Sequence, residues 1–355
     1  MSRQRYQHGG NIWDKPQPLA WLDFSANINP WGPPQAMLDA ISLALPALNH
    51  YPDPQATAAT NAVAAYLQVP RENLLLTNGG LAGLELVVNY LQPAAAAICQ
   101  PTFVEYERLC HLHEVPVNNL HCLQQRREFR LPREELQTIS SGSLVFLCNP
   151  VNPCGTLVDL GQIQELLQTV KARSSRLLLD EAFIDFIPGA SARQIALTDE
   201  HLLIAGSLTK LFAIPGLRLG YLIGSASLVE ELRYRQTPWS LNLLAQAAAK
   251  TLPTLSDFVQ DSLKRITAAR EELINGLSQL KITALPSQAN FLLVDFQSWG
   301  LTASAINNRL HDKRMQIRDC SNFVGLDDCF ARIAVLSPTA NRRLLASLEE
   351  IKCGI

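Results

Sequence analysis

A chain of 355 residues can bury a large core, as one large domain or two moderate ones, so disorder does not dominate it. A formal net charge of −2 argues against a nucleic-acid surface, which needs clustered Lys and Arg, and the longest basic cluster is only Gln125-Arg126-Arg127. Hydrophobic residues at 47% against 17% charged fit a compact α/β protein with surface committed to an interface.

The first residues, 1–17, are polar and lack the apolar core of a signal peptide, and no stretch reaches the length of a membrane span. The expected location is therefore the cytoplasm, with neither membrane nor nucleic acid as partner. The arm continues through Asp23-Phe24-Ser25-Ala26-Asn27-Ile28-Asn29-Pro30, rich in Asn and Pro. From 74 to 223 short apolar runs alternate with helical patterns, the rhythm of an α/β layer with a largely parallel sheet. Strands are predicted at 74–77, 95–99, 143–148, 176–179, 202–205 and 219–223, and ligands of open α/β sheets bind beyond the carboxyl ends of such strands. Residues 237–280 read as long helices and 281–355 as mixed strands and helices, so a smaller second domain is expected from the C-terminal part and the arm. The eight cysteines show no C-x-x-C pair and no metal-ligand spacing, which predicts buried, reduced thiols and no metal site.

The chemistry-bearing residues fall at strand ends. Ser207-Leu208-Thr209-Lys210 follows one apolar run. Alone it is a surface lysine, but a lysine becomes nucleophilic where its surroundings lower its pKa. Arg218, within Gly216-Leu217-Arg218-Leu219-Gly220, adds a guanidinium for a phosphate. Asp180-Glu181-Ala182-Phe183 closes another strand; its carboxylate is either a helix cap or the partner of a pyridinium nitrogen. Asn152 lies in the turn Asn149-Pro150-Val151-Asn152-Pro153-Cys154-Gly155. Thr77-Asn78-Gly79-Gly80 precedes a helix whose first N–H groups can cradle an anion, and Phe103 in Pro101-Thr102-Phe103 can stack on a flat heterocycle.

The order anion turn, aromatic, Asn, Asp, Ser-x-x-Lys, Arg resembles the fold type I pyridoxal 5'-phosphate (PLP) enzymes of the class I and II aminotransferase group, over almost the whole chain. Within it, His8-Gly9-Gly10-Asn11, the arm segment 22–30, Tyr51-Pro52-Asp53, the segment 180–186 and Pro238-Trp239-Ser240 are similar to the threonine-phosphate decarboxylases, relatives of the histidinol-phosphate aminotransferases. The resemblance implies an α/β fold: an arm at 1–34, a large PLP-binding domain at 35–240 with a mostly parallel sheet, and linking helices with a small α+β domain at 241–355. It implies a homodimer with shared active sites, and PLP held covalently on Lys210. Asp180 would face the pyridine nitrogen, Asn152 the ring oxygen, and Phe103 and Phe183 the ring. Ser207, Thr209, Arg218, Gly79 and Gly80 would hold the cofactor phosphate, with Tyr51 from the partner subunit. For the small phosphorylated amino acid the resemblance offers His8, Asn29, Asn152, Arg318 and Arg332. Three departures stand out: Val151 and Cys154 differ from the family's common P-N-N-P-T-G, Leu81 and Ala82 remove donors from the anion turn, and Phe183 replaces a tyrosine.

The expected reaction is decarboxylation of O-phospho-L-threonine, or O-phospho-L-serine, to a phosphorylated amino alcohol for the nucleotide loop of cobalamin. Histidinol-phosphate transamination and a non-catalytic PLP-fold binding module are the alternatives.

Overall fold

The computed structural model describes residues 8–354. In chain order it begins with β1 (Leu22–Asp23), α1 (Gln35–Ala44), α2 (Thr57–Leu67), β2 (Leu74–Thr77), α3 (Gly80–Leu91), β3 (Ala96–Gln100), α4 (Glu105–Leu112) and β4 (Val117–His121). A hairpin of β5 (Leu123–Gln124) and β6 (Glu128–Phe129) follows, then α5 (Arg133–Leu136), β7 (Leu144–Cys148), α6 (Leu160–Ala172), β8 (Arg176–Asp180), α7 (Arg193–Ala196), β9 (Leu202–Ser207) and β10 (Gly220–Ile223). The remainder is α8 (Ala226–Arg235), α9 (Leu243–Ala249), α10 (Ser256–Gln279), β11 (Thr283–Ala284), β12 (Phe291–Asp295), α11 (Ala303–His311), β13 (Met315–Gln316), β14 (Arg318–Asp319), β15 (Phe330–Ala334) and α12 (Pro338–Cys353).

Seven strands form one sheet in the order β2-β10-β9-β8-β7-β3-β4. Runs such as Leu74-Leu75-Leu76-Thr77 and Leu144-Val145-Phe146-Leu147-Cys148 are buried at every position, because helices cover both faces. That continuity made six of the strands readable. The seventh, β4, was not predicted: Val-Asn-Asn-Leu-His carries polar side chains, which an edge strand tolerates because one rim faces water. The sheet is parallel except at β10, which runs antiparallel to both β2 and β9. Its reversed direction brings residues preceding the strand to the same edge as residues following β2 and β9.

The long helices expected over 237–280 are interrupted. α9 spans seven residues and a 3₁₀ turn at Leu252–Thr254, with Pro253 inside it, separates α9 from the 24-residue α10. Caps mark other starts: Asp159 and Gln162 form a reciprocal capping box on α6, and Ser337 caps α12 ahead of Pro338.

The second sheet, β11-β12-β15-β14, is antiparallel throughout. The arm is stitched into it. β1 pairs with β13, the Ala334 N–H donates to the Phe24 carbonyl at 2.8 Å, and the fully buried Phe24 ring lies in a core shared with Leu292, Ile333 and Leu344. All eight cysteines are free thiols, six of them buried, while Cys353 is exposed. Among the described residues no helix is long and apolar enough to cross a membrane.

Two glycines fix the junction of β9, β10 and α3. A Cβ on Gly206 would lie 2.0 Å from the Tyr221 ring, its cross-strand partner. A Cβ on Gly220 would lie 2.4 Å from the Gly80 nitrogen and 2.9 Å from the Gly206 carbonyl oxygen. Backbone cannot swing aside as a side chain can, so Gly220→Ala is expected to destabilise the fold by about 1–3 kcal/mol. It should also displace the Gly79-Gly80 turn. Thermal melts of apo and cofactor-loaded protein check this, the loaded form losing more.

Candidate active site

A cavity of about 410 Å³ opens at the carboxyl ends of the central strands, between the two sheets and beneath the arm. Lys210, three residues past β9, reaches into it, and its carbonyl accepts the Asn29 N–H at 3.0 Å. Burial, with Arg218 and Arg332 nearby, pushes the lysine ammonium down to about 8, against the opposing pull of Asp180. Asp180 ends β8. One carboxylate oxygen accepts the Tyr106 hydroxyl at 2.6 Å and the other the Ala182 N–H at 2.9 Å. Burial raises its pKa, against the lowering pull of those bonds and of Lys210.

The anion corner gathers three segments. Gly79, at φ +82°, precedes α3; Ser207 Oγ lies 2.8 Å from Thr209 Oγ1; and Arg218 sits in left-handed backbone at φ +58° just before β10. A Cβ on Gly79 would stand 2.4 Å from Arg218 Nη2, so glycine serves here for room as well as for its dihedral. Among the described residues the Arg218 guanidinium makes one hydrogen bond, to the Pro215 carbonyl at 3.3 Å. Its remaining donors are open to a ligand.

Phe103 and Phe183 line the cavity, Phe103 edge-on to Tyr106 at 5.7 Å and Phe183 edge-on to Phe291 at 4.9 Å. Arg332 projects from β15. Its Nη1 donates to Asn152 Oδ1 at 2.6 Å and its Nη2 to the Ser25 carbonyl at 2.6 Å, while the buried Nε has no partner. Asn152 thus spends its carbonyl on Arg332 and keeps its amide NH₂ as a donor. Arg318, on β14, donates to Asn322 Oδ1 at 2.8 Å and lies over the Phe323 ring. Each of the two arginines is 7% exposed. Burial lowers both, Arg332 to about 10. His8 closes the cavity from the arm, its Nε2 2.6 Å from the buried Glu105 and its ring 5.7 Å from Phe103.

Two expected residues lie elsewhere in this protomer. Asn29 does not line the cavity: its amide donates to the Leu211 carbonyl at 2.8 Å and to Ser262 Oγ at 3.0 Å, so it buttresses the lysine loop from behind. Tyr51 is 83% exposed and packs on Trp239 at 4.9 Å, facing away from this cavity. Three further residues were not anticipated. Tyr106 holds Asp180, Glu105 holds His8, and Asn27 lines the cavity with a buried Oδ1 that has no hydrogen-bond partner. Asn27 stands two residues before Asn29 in the same Asn-rich segment, which the sequence left undivided.

These residues fit PLP. Asp180 is a buried carboxylate suited to a cation such as a protonated pyridine, Asn152 offers a donor for a ring oxygen, Lys210 is an amine of lowered pKa, and the Gly79–Arg218 corner is shaped and charged for a phosphate. A lysine, a buried aspartate and an anion cradle at the carboxyl edge of a mostly parallel seven-stranded sheet define a PLP enzyme of fold type I. The family model of class I and II aminotransferases matches residues 20–348, and the chain belongs to that family. It is 35% identical to the threonine-phosphate decarboxylase of Salmonella typhimurium, over 98% of this chain and 97% of that one. A solved L-threonine-O-3-phosphate decarboxylase from Porphyromonas gingivalis superposes with a TM-score of 0.82 at 25% identity, covering 92% of this chain and 98% of the other. A histidinol-phosphate aminotransferase from Clostridium acetobutylicum superposes at 0.86 with 27% identity, covering 94% and 100%.

The lysine's lowered pKa carries a sign. Only the free amine attacks an aldehyde, and here half of it is free near pH 8 rather than 10.5. Covalent capture of PLP by apo-protein, trapped with borohydride, should therefore rise with pH to a plateau with a midpoint near 8. In Arg332→Gln, with one neighbouring cation removed, the midpoint should move upward.

Proposed function

We propose that this chain decarboxylates O-phospho-L-threonine, with O-phospho-L-serine as the close variant, to a phosphorylated amino alcohol for the nucleotide loop of cobalamin. The observation that carries this reading is a pair of buried guanidinium groups on one wall of the cavity. Arg318 and Arg332 are both buried at the cavity wall away from the cofactor-phosphate corner, with His8 beside them. An ordinary amino acid presents one anion there; a phosphorylated amino acid presents two.

When bound, PLP supplies an electron sink for the pair of electrons left at the substrate's Cα. Asp180, steadied by Tyr106, supplies the negative charge that favours a protonated pyridine nitrogen, and Asn152 donates to the ring oxygen. Ser207, Thr209, Arg218 and the N–H groups at Gly79 and Gly80 take the cofactor phosphate. Phe103 and Phe183, which line the cavity, would supply apolar contact to the cofactor's ring. Arg318, Arg332, His8 and Asn27 would bind the substrate's two anionic groups and so fix its orientation, which decides whether the bond to the carboxylate or the one to hydrogen is cleaved at Cα. Lys210, with its amine near neutrality, is placed to return a proton to that carbon.

The active unit on this reading is a cytoplasmic homodimer. Leu38, Leu43, Leu45 and Leu48 lie exposed along α1 and the turn after it, continuous in sequence with the exposed Tyr51. Covering that patch with a second copy would bring Tyr51 to the neighbouring active site. The two sheets support division into an arm at 1–34, a large domain at 35–240 and a small one at 241–355.

The test mixes PLP-loaded protein with each phosphorylated amino acid, no ketoacid present, and follows carbon dioxide and the phosphorylated amine. Release of both is expected; no release, with transamination of histidinol phosphate once 2-oxoglutarate is added, would replace this reading by the aminotransferase one. In the same assay Arg318→Gln and Arg332→Gln should each lower kcat/KM by about a hundredfold or more, since each removes a buried, charge-assisted contact to substrate.

A further inference from the structure

The segment Gln125-Arg126-Arg127 has no part in the site described above, yet its central residue pairs with two carboxylates, Asp295 and Asp327. It sits in the turn of the β5–β6 hairpin, closed by the Arg127 N–H donating to the Gln124 carbonyl at 3.0 Å. Gln125 and Arg126 hold φ of +47° and +62°. Two successive left-handed residues are the pattern of a type I′ turn, which Asn and Gly adopt readily and long side chains adopt at a cost. Strained backbone of this kind persists where something else holds it.

Here the holding contacts come from the other sheet. Arg126 Nε and Nη2 form a fork onto Asp295, both bonds 3.0 Å. Nη1 and Nη2 also donate to Asp327, and the guanidinium lies 4.3 Å above the centre of the Phe330 ring. Asp295 and Phe330 are cross-strand partners, the last residue of β12 and the first of β15. Two residues further along β15, on the same face as Phe330, is Arg332, and its register partner on β14 is Arg318. Arg126 therefore grips the end of the very strand pair that carries an anion-binding arginine into the cavity.

We propose that Arg126 is a positioning residue: a clasp between the β5–β6 hairpin and the β12–β15 pair that sets how far Arg332 and Arg318 stand from Lys210, and through them the affinity for the anionic substrate. The proposal rests on the decarboxylase reading for its substrate, and not for its geometry. Arg126 itself touches neither cavity nor ligand. Its fork on Asp295 is geometrically exacting, so a lysine, which presents a single point of charge, cannot reproduce it.

The test compares Arg126→Met, Arg126→Lys and Asp295→Asn, all loaded with PLP. Methionine keeps an apolar stem over Phe330 and removes the fork. Expected is a rise of about tenfold in KM for O-phospho-L-threonine in Arg126→Met with a smaller fall in kcat, since the displaced groups both bind the substrate's anions and orient its Cα bonds. Cofactor absorbance should be unchanged and Arg126→Lys should fall between. Asp295→Asn should act in the same direction, with the double variant close to the worse single one, as expected for two halves of one contact. Hydrogen exchange read over residues 291–295 and 330–334 should quicken in each variant. That measurement needs no turnover, so a chain that failed to decarboxylate phosphothreonine would still report on the clasp. Three results would each overturn the proposal: an unchanged KM with unchanged exchange, a fall in kcat with loss of cofactor absorbance in place of the KM rise, or additive effects in the double variant. Should Arg126→Met not fold, Asp295→Asn carries the same comparison.

Discussion

Buried positive charge is the constraint around which this molecule is arranged. Lys210, Arg318 and Arg332 converge on one cavity, and burial lowers the pKa of each. Cations held out of water and close together are unfavourable until anions join them. Asp180 is the carboxylate at the ring end, and the guanidiniums donate to oxygens of Asn152, Asn322 and Ser25. The cofactor's phosphate and a two-anion substrate would add further negative charge. Stability held back in this way is recovered on binding, so the same charges that weaken the empty fold select what fills it.

Much of the architecture was readable because the central sheet is covered on both faces. Six of its strands are largely apolar runs, and two of them end at candidate site residues, Asp180 after Leu177-Leu178-Leu179 and Ser207 after Leu202-Leu203-Ile204-Ala205-Gly206. From β7 to β10 the chain then runs strand by strand across the sheet, and β2 closes the far side of β10. What stayed hidden depended on contacts between distant segments. The polar edge strand β4 has no pattern of its own, and the role of Asn27 rather than Asn29 follows from which side of the arm faces the cavity. Tyr106 and Glu105 could not be singled out either, since an isolated tyrosine or glutamate on a helix reads as packing or as a solvated face until Asp180 or His8 is seen beside it.

The N-terminal arm illustrates how one segment serves two cores. Phe24 is sealed among residues of the second sheet, while His8, sixteen positions earlier, meets Glu105 at the start of α4 on the first. Between them Ser25 offers its carbonyl to Arg332 and its hydroxyl to the Gly10 N–H. The arm is thus anchored at both ends before it covers the cavity, and its path over the opening is set by packing on either side of it.

The reversed strand β10 has a consequence for what counts as a binding residue. Because β10 lies between β2 and β9, the three pieces of the phosphate corner, Gly79, Ser207 and Arg218, are neighbours only while those strands keep their alignment. A slip of one position would turn every side chain of β10 to the opposite face and carry Arg218 away from Gly79. The Tyr221 ring seated on Gly206 acts as a pin against that slip, with no room for a bulkier partner. Alignment of the sheet therefore sets whether the corner exists at all, and a tyrosine outside the cavity lining holds it together by shape alone.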